Sequence, residues 1–401
     1  MMLTRRELMA ATVAAMAHPL LAARPPRPSS PSPSVPPSDP WLEISAAALS
    51  ANATHVARLA GNRPVLAVIK NNAYGLGLET VGSVLDAHDQ VAGLAVVKVE
   101  EALRLASAGV RKPILLMGHC TRDEGVELST RGVHLTPFGD DAPTLVEAIA
   151  ARTRAPVPMH FYVDTGMGRL GMPYHRALPW MERVASTSGV RVEGTFMAFT
   201  EDDAFDVEQL ARFTELARAA RGRRIPLGRL HAASSHALFL RPATHLDMVR
   251  PGLALFGAYP AEVPATDRTG LQPAVALKAR VVRVEQLRAG DSVSYGRNYI
   301  AQAPTWIATI PVGHSDGYPR SAVKGCQVLI GDRLYPVIGA VSASHTIVEL
   351  GTERRAQVGD VATLVGPDDP AITPNAVAAR AGVSVYDILM HLSAELPRQV
   401  V

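Results

Sequence analysis

Only two cysteines, Cys120 and Cys326, occur in 401 residues, and they stand far apart. So few thiols exclude a disulfide framework, and neither cysteine has the close Cys or His spacing of a zinc site. Two unpaired thiols and no metal are expected. Net charge is scarce as well: the formal charge is +3, with Lys and Arg dispersed rather than blocked. Nothing in that balance calls for nucleic acid. Long apolar runs are missing. The stretch ending at Ala23 is short for a membrane span, so no stable membrane insertion is expected. Nor does a glycine-rich dinucleotide fingerprint follow the first strand-like run, which weakens a nucleotide-binding open sheet.

What is present is enough apolar sequence, 47% of the chain, to build a large core in two domains. Four regions can be drawn. Residues 1–23 carry Thr4-Arg5-Arg6-Glu7-Leu8-Met9 ahead of an apolar stretch, with Ala22 and Ala23 near a cleavage point. This resembles a twin-arginine export signal and implies an exported, periplasmic protein; a mis-called start, and a cytoplasmic protein, is the alternative. Residues 24–40 are rich in proline and serine and form a stiff spacer.

Residues 41–270 alternate strand-like and helix-like runs. The strand-like ones are Val65–Lys70, Gly93–Val97, Pro113–Met117, Gly132–Thr136, Met159–Asp164, Val192–Met197, Arg229–Ala232 and Met248–Gly252. Helical spacing returns in Val99–Ala108 and Asp206–Arg221. Eight such repeats are the count for a (β/α)8 barrel; an open doubly wound sheet is the structural alternative. In residues 271–401 helical periodicity largely disappears until Thr373–Ala381. Short apolar runs separated by Gly, Pro and Asp predict a β-rich C-terminal domain.

A barrel places its chemistry at the C-terminal ends of its strands. The first run ends on Lys70, the fifth on Asp164 with Arg169 close behind, the seventh on Ser234-Ser235, the eighth on Arg250-Pro251-Gly252-Leu253. A lone strand-end lysine is more often a surface charge, and a serine pair more often a turn. Together they suggest an amine held for covalent chemistry beside a phosphate cradle of backbone N–H groups and a hydroxyl. Pyridoxal 5'-phosphate, a phosphorylated aldehyde, meets both requirements.

Five segments in order resemble the alanine racemases: Ala67-Val68-Ile69-Lys70-Asn71-Asn72-Ala73-Tyr74-Gly75, Val163-Asp164-Thr165-Gly166-Met167-Gly168-Arg169-Leu170-Gly171, Val249-Arg250-Pro251-Gly252-Leu253-Ala254-Leu255-Phe256-Gly257, Val293-Ser294-Tyr295-Gly296-Arg297 and Ile310-Pro311-Val312-Gly313-His314-Ser315-Asp316-Gly317-Tyr318. The resemblance implies a homodimer with shared sites that racemises a free amino acid with two bases. Lys70 would carry the cofactor and be one base; Tyr295, from a partner subunit, would be the other. Arg250 would donate to the pyridine nitrogen. Tyr74, Ser235, Gly252 and Leu253 would hold the phosphate, and Arg169 and Ala343 would meet the substrate. Arg169, and Arg297 beyond Tyr295, are cations suited to lowering the pKa of the two bases.

Departures from the family cluster around the pocket. Tyr162 stands for a lysine that is usually carbamylated, and Ala198 for a histidine that usually contacts the catalytic tyrosine. Ser342-Ala343-Ser344 replaces Cys-Met-Asp, Ala394 replaces a tyrosine, and His314 replaces an entry tyrosine. His314 or His345 is available in place of the lost histidine. The expected activity is alanine racemisation or a broader amino-acid set in a widened pocket, supplying D-amino acids for wall precursors. The alternative is a drifted member that binds the cofactor but acts weakly, or on another reaction such as decarboxylation.

Overall fold

The computed structural model describes residues 38–401. The export-like segment 1–23 and most of the 24–40 spacer lie outside the described residues. Val65–Val68 is buried throughout, as a parallel strand covered by helices must be. It pairs with Val91–Val96, which pairs with Ile114–Leu116. Val157–Asp164 pairs with Val190–Phe196, and that with Arg229–His231. All of these pairings are parallel.

The remaining two staves are reduced to isolated bridges. Leu115 pairs with His134 and Leu135 with Met159; His231 pairs with Met248 and Val249 with Val65, which closes the ring. The expected strands Gly132–Thr136 and Met248–Gly252 are therefore shorter than their apolar runs. Gly132 takes a left-handed φ of 76°, and Pro137 and Pro251 lack the N–H that a longer ladder needs. The eight-stave barrel predicted from the alternation is what the chain forms.

Helices flank the staves, among them Ala46–Leu59, Leu78–Asp86, Val99–Ser107 and Asp203–Gly222. Their starts are written locally. Ser45 Oγ accepts from Ala48 N at 3.1 Å, Thr121 and Glu124 form a reciprocal capping box, and Asp202 Oδ1 accepts from Phe205 N at 2.9 Å. Each satisfies an N–H that the helix itself leaves free.

Beyond the barrel lies a nine-stranded sheet. Its order is Arg283–Leu287, Thr305–Ile310, Thr346–Gly351, Arg333–Ile338, Gln327–Ile330, Val361–Val365, Val275–Arg280, Trp41–Ile44 and Arg398–Val400. Trp41–Ile44 falls within the 41–270 span expected to form the barrel. Its backbone instead pairs antiparallel with Val275–Arg280 and parallel with Arg398–Val400. The barrel ring is already closed by Val65 and Val249, so this strand finds its partners in the second sheet. Cys120 and Cys326 are both free and buried. Among the described residues no helix is long and apolar enough to cross a membrane.

Candidate active site

The strand Val65–Val68 ends two residues before Lys70, and the backbone then does something rare. Asn71, Asn72, Ala73 and Tyr74 have φ of 55°, 54°, 52° and 55°. This is one turn of left-handed helix, where each non-glycine residue costs about 1–2 kcal/mol and asparagine is the best tolerated. The turn is held from outside. Asn72 N donates to Glu101 Oε1 at 2.8 Å, Leu78 N to Asn72 Oδ1 at 3.1 Å, and Arg398 Nη2 to Gly75 O at 2.8 Å. The result puts Lys70 and Tyr74 on the wall of the same cavity.

That cavity, about 500 Å³, opens at the C-terminal ends of the staves. Lys70, Tyr74, Arg169, Ser235, Arg250, Gly252 and Leu253 all line it. Neither Lys70 Nζ nor the Tyr74 hydroxyl has a hydrogen-bond partner among the described residues. Burial lowers the Lys70 pKa, and the positive charges of Arg169 and then Arg250 lower it further against an opposing pull from Glu101. The amine is thus held closer to its neutral, nucleophilic form. Burial pushes the Tyr74 phenol up, so it stays a neutral donor.

On the same cavity wall, Arg250 is only 8% exposed. Its Nη2 donates to Met197 O at 2.7 Å and its Nη1 to His231 O at 3.2 Å, with its Cζ 5.0 Å from the Phe196 ring centre. Burial brings its pKa down to about 10, so it remains a cation and a donor near neutrality. Ser235 Oγ accepts from Gly252 N and Ala254 N, each at 3.1 Å. Leu253 opens the one-turn helix Leu253–Phe256, where its N–H has no partner inside the helix. A Cβ on Gly252 would lie 2.1 Å from the Tyr74 hydroxyl; glycine is required for that hydroxyl to reach the cradle.

These features fit pyridoxal phosphate. They comprise an unpartnered amine depressed by burial and nearby cations, a fixed cationic donor in the same cavity, and N–H and O–H groups on its wall. The Tyr162 ring, also on the cavity wall, stacks on Phe196 at 4.3 Å; Phe196 in turn stacks on His231 at 5.1 Å. Ala198 also lines the cavity.

Two expected residues are not brought to this cavity within one chain. Tyr295 is 78% exposed, and Ala343 is exposed as well. They share one face of the second domain. Ser294 Oγ donates to Ala340 O at 3.2 Å, and Ser315 N to Ala343 O at 3.0 Å. His314 and His345 are exposed on the same segments. Ser294 has φ 66° and ψ −176°, a conformation nearly confined to glycine, so the backbone presenting Tyr295 is strained. Arg297 braces that turn, its Nε donating to Ser292 Oγ at 3.2 Å.

Sequence reasoning missed Tyr386. It comes from the helix Val385–Met390, lines the cavity, and sits with its ring 6.1 Å from that of Tyr74. The local signal was a capping box, Ser384 with Asp387, which places Tyr386 in a first helical turn. Nothing local told which distant wall that turn would complete.

Residues 44–260 match the family described as alanine racemase, N-terminal domain, and residues 274–400 match alanine racemase, C-terminal domain. An alanine racemase of Desulforamulus reducens is 33% identical over 365 residues, covering 89% of this chain and 98% of that one. One from Treponema pallidum is 35% identical, covering 82% and 91%. The crystal structure of the biosynthetic alanine racemase from Pseudomonas aeruginosa superposes with a TM-score of 0.80 at 30% identity, covering 90% of this chain and 99% of that one.

Proposed function

From the premise that this chain belongs to the alanine racemase family and is an isomerase, we propose that it racemises a free amino acid with pyridoxal 5'-phosphate bound at Lys70. The observation that carries this reading is the depressed, unpartnered Lys70 amine sharing one cavity with the buried donor Arg250, whose charge it feels. Tyr74, Ser235, Gly252, Leu253 and Tyr386 would hold the phosphate. When bound, the cofactor supplies an electron sink that acidifies the Cα–H of an attached amino acid.

The chain's own groups do the rest. Lys70 Nζ holds or releases a proton on one face of Cα. Tyr295 Oη, from a second copy, does so on the other, which is how a centre is inverted. Arg250 stays a protonated donor, so a pyridine nitrogen held against it would be left an acceptor and the sink would be restrained. That restraint disfavours decarboxylation. Arg169, exposed at the cavity edge, would bind the substrate carboxylate with bidentate geometry. The 78% exposure of Tyr295 and its strained turn suit a residue completed by a homodimer partner.

Tyr162, Ala198 and Ala343 shape the substrate side. Alanine at two of these positions leaves room for side chains longer than methyl. The twin-arginine-like segment supports export to the periplasm, where D-amino acids feed wall chemistry. The test is Cα proton exchange in heavy water with the purified holoenzyme, run beside a chiral assay over the common amino acids. Deuterium at Cα with loss of optical purity is expected. Retention of the Cα proton on every substrate would overturn racemisation, and activity on alanine alone would sink the wider pocket.

A further inference from the structure

Three histidines cross the barrel interior behind Arg250. Arg250 Nη1 lies 3.1 Å from His231 Nδ1, His231 Nε2 lies 3.0 Å from His160 Nδ1, and His160 Nε2 lies 3.2 Å from His134 Nδ1. The series starts at the cavity that holds Lys70. It ends at a second cavity of about 230 Å³ at the opposite mouth of the barrel, lined by His134, His160, Pro113, Glu193 and Arg229. Burial keeps all three rings neutral: it holds His160 down at about 3, His231 well below its ordinary value, and His134 lowered as well. The charged groups around His134 are Glu193 and Arg191 of the strand Val190–Phe196, with Arg229 also on the cavity wall.

A neutral imidazole has one N–H and one bare nitrogen, and its neighbours choose which is which. Guanidinium has no acceptor. Facing Arg250, His231 Nδ1 must therefore be bare, which puts the His231 proton on Nε2. That proton can only be given to His160 Nδ1, so His160 too is protonated on Nε2, and by the same logic so is His134. One donor at the active site fixes the tautomer of three rings. This array is no proton wire, because arginine cannot release a proton at its end. It is a brace: if any ring loses its acceptor or turns over, a donor faces a donor, and the mismatch falls on Arg250 Nη1.

We propose that His231, His160 and His134 form a one-way hydrogen-bond chain, and that His134 and His160 are positioning residues that hold Arg250 from the far mouth of the barrel. The effect on turnover rests on the reading of Arg250 given above; the direction of the chain does not.

The experiment is nitrogen-15 imidazole NMR on the full chain, with and without pyridoxal phosphate. All three rings are expected as the Nε2–H tautomer in both states. In an Arg250→Leu variant, tautomer mixing should reach His134. Either an Nδ1–H tautomer at any of the three rings in the wild type, or mixing confined to His231, would overturn the chain. Two substitutions at the far end then test positioning. His134→Asn keeps an acceptor oxygen near the place of Nδ1, and His134→Leu removes it. The Leu variant should lose about fivefold to tenfold in kcat with KM little changed, the cost of one unmade buried hydrogen bond, and the Asn variant should recover most of it. Equal kcat in the two variants would overturn the positioning role. A protein that binds no cofactor yet shows the three expected tautomers would sink the cofactor reading and leave the chain standing.

Discussion

In the proposed reaction Lys70 is the residue on which the chemistry turns, and its neighbours set when it can react. An amine attacks an aldehyde only when neutral. Burial, Arg169 and Arg250 all lower its pKa, so capture of pyridoxal phosphate by the apoprotein should rise with pH and level off below the ordinary lysine range. Arg169→Met removes one cation, so Lys70 should regain its proton and the profile should move to higher pH. Following cofactor absorbance after mixing checks this; an unmoved profile would leave burial and Arg250 as the causes. Lys70→Ala should abolish covalent capture and lower racemisation by at least about 10²-fold, the usual contribution of a positioned base. Gly252→Ala acts on the same site by geometry. Its Cβ would meet the Tyr74 hydroxyl at 2.1 Å, so Tyr74 must move and the cofactor should dissociate more readily, as read by fluorescence titration.

The left-handed turn over residues 71–74 decides how those residues are presented. Gly75 ends it at φ 88°, and a Cβ there would lie 2.4 Å from Leu389 O. Gly75→Ala should therefore cost about 2 kcal/mol or more, combining backbone strain with a clash against main chain. A lowered urea midpoint with weakened cofactor retention is the expected result. This turn also marks a limit of what can be read from sequence. The apolar run ending at Lys70 signalled a strand, and Asn71-Asn72 a connection, but periodicity carries no information on the hand of a turn. The eight staves were legible because each is an apolar run between helix-patterned segments. The shortening at His134 and Met248 was not, since it depends on which neighbours supply ladder partners. Trp41–Ile44 was misplaced for the same reason. The residues gathered around Lys70 were legible because each sits where a barrel strand ends. Tyr386 was not, because its place depends on the second domain packing onto the first. Nor was the histidine chain: His134, His160 and His231 lie on three separate staves, with nothing in their spacing to link them.

At the scale of the molecule, two properties can be tested. The first is sharing of sites between subunits. Lys70→Ala and Tyr295→Phe proteins should each be nearly inactive, but mixing them under conditions of subunit exchange should restore up to about one quarter of wild-type activity, through hetero-dimers with one intact site. No recovery despite exchange would place both bases in one chain. The second is acid sensitivity. Burial holds His160 down at about 3 in the folded chain, against about 6.5 for a free imidazole, and lowers His134 and His231 in the same direction. Below pH 6.5 the unfolded chain takes up protons that the folded chain refuses. Stability should therefore be fully present above that pH and fall as pH drops, by about 1.4 kcal/mol per pH unit for His160, with His231 and His134 adding to the loss in the same direction. Urea midpoints from pH 7.5 down to 5 check this, and a flat profile would mean the rings are charged when folded. The clamp on the left-handed turn has one more consequence, and it concerns time. Gly75 is gripped by Arg398, 323 positions downstream, on a strand that pairs with Trp41–Ile44. At roughly 5–20 residues per second, a ribosome delivers the lysine on the order of half a minute before it delivers the arginine that braces it. On the proposed reading, a nascent chain would expose Lys70 before this brace forms, and cofactor capture would follow synthesis.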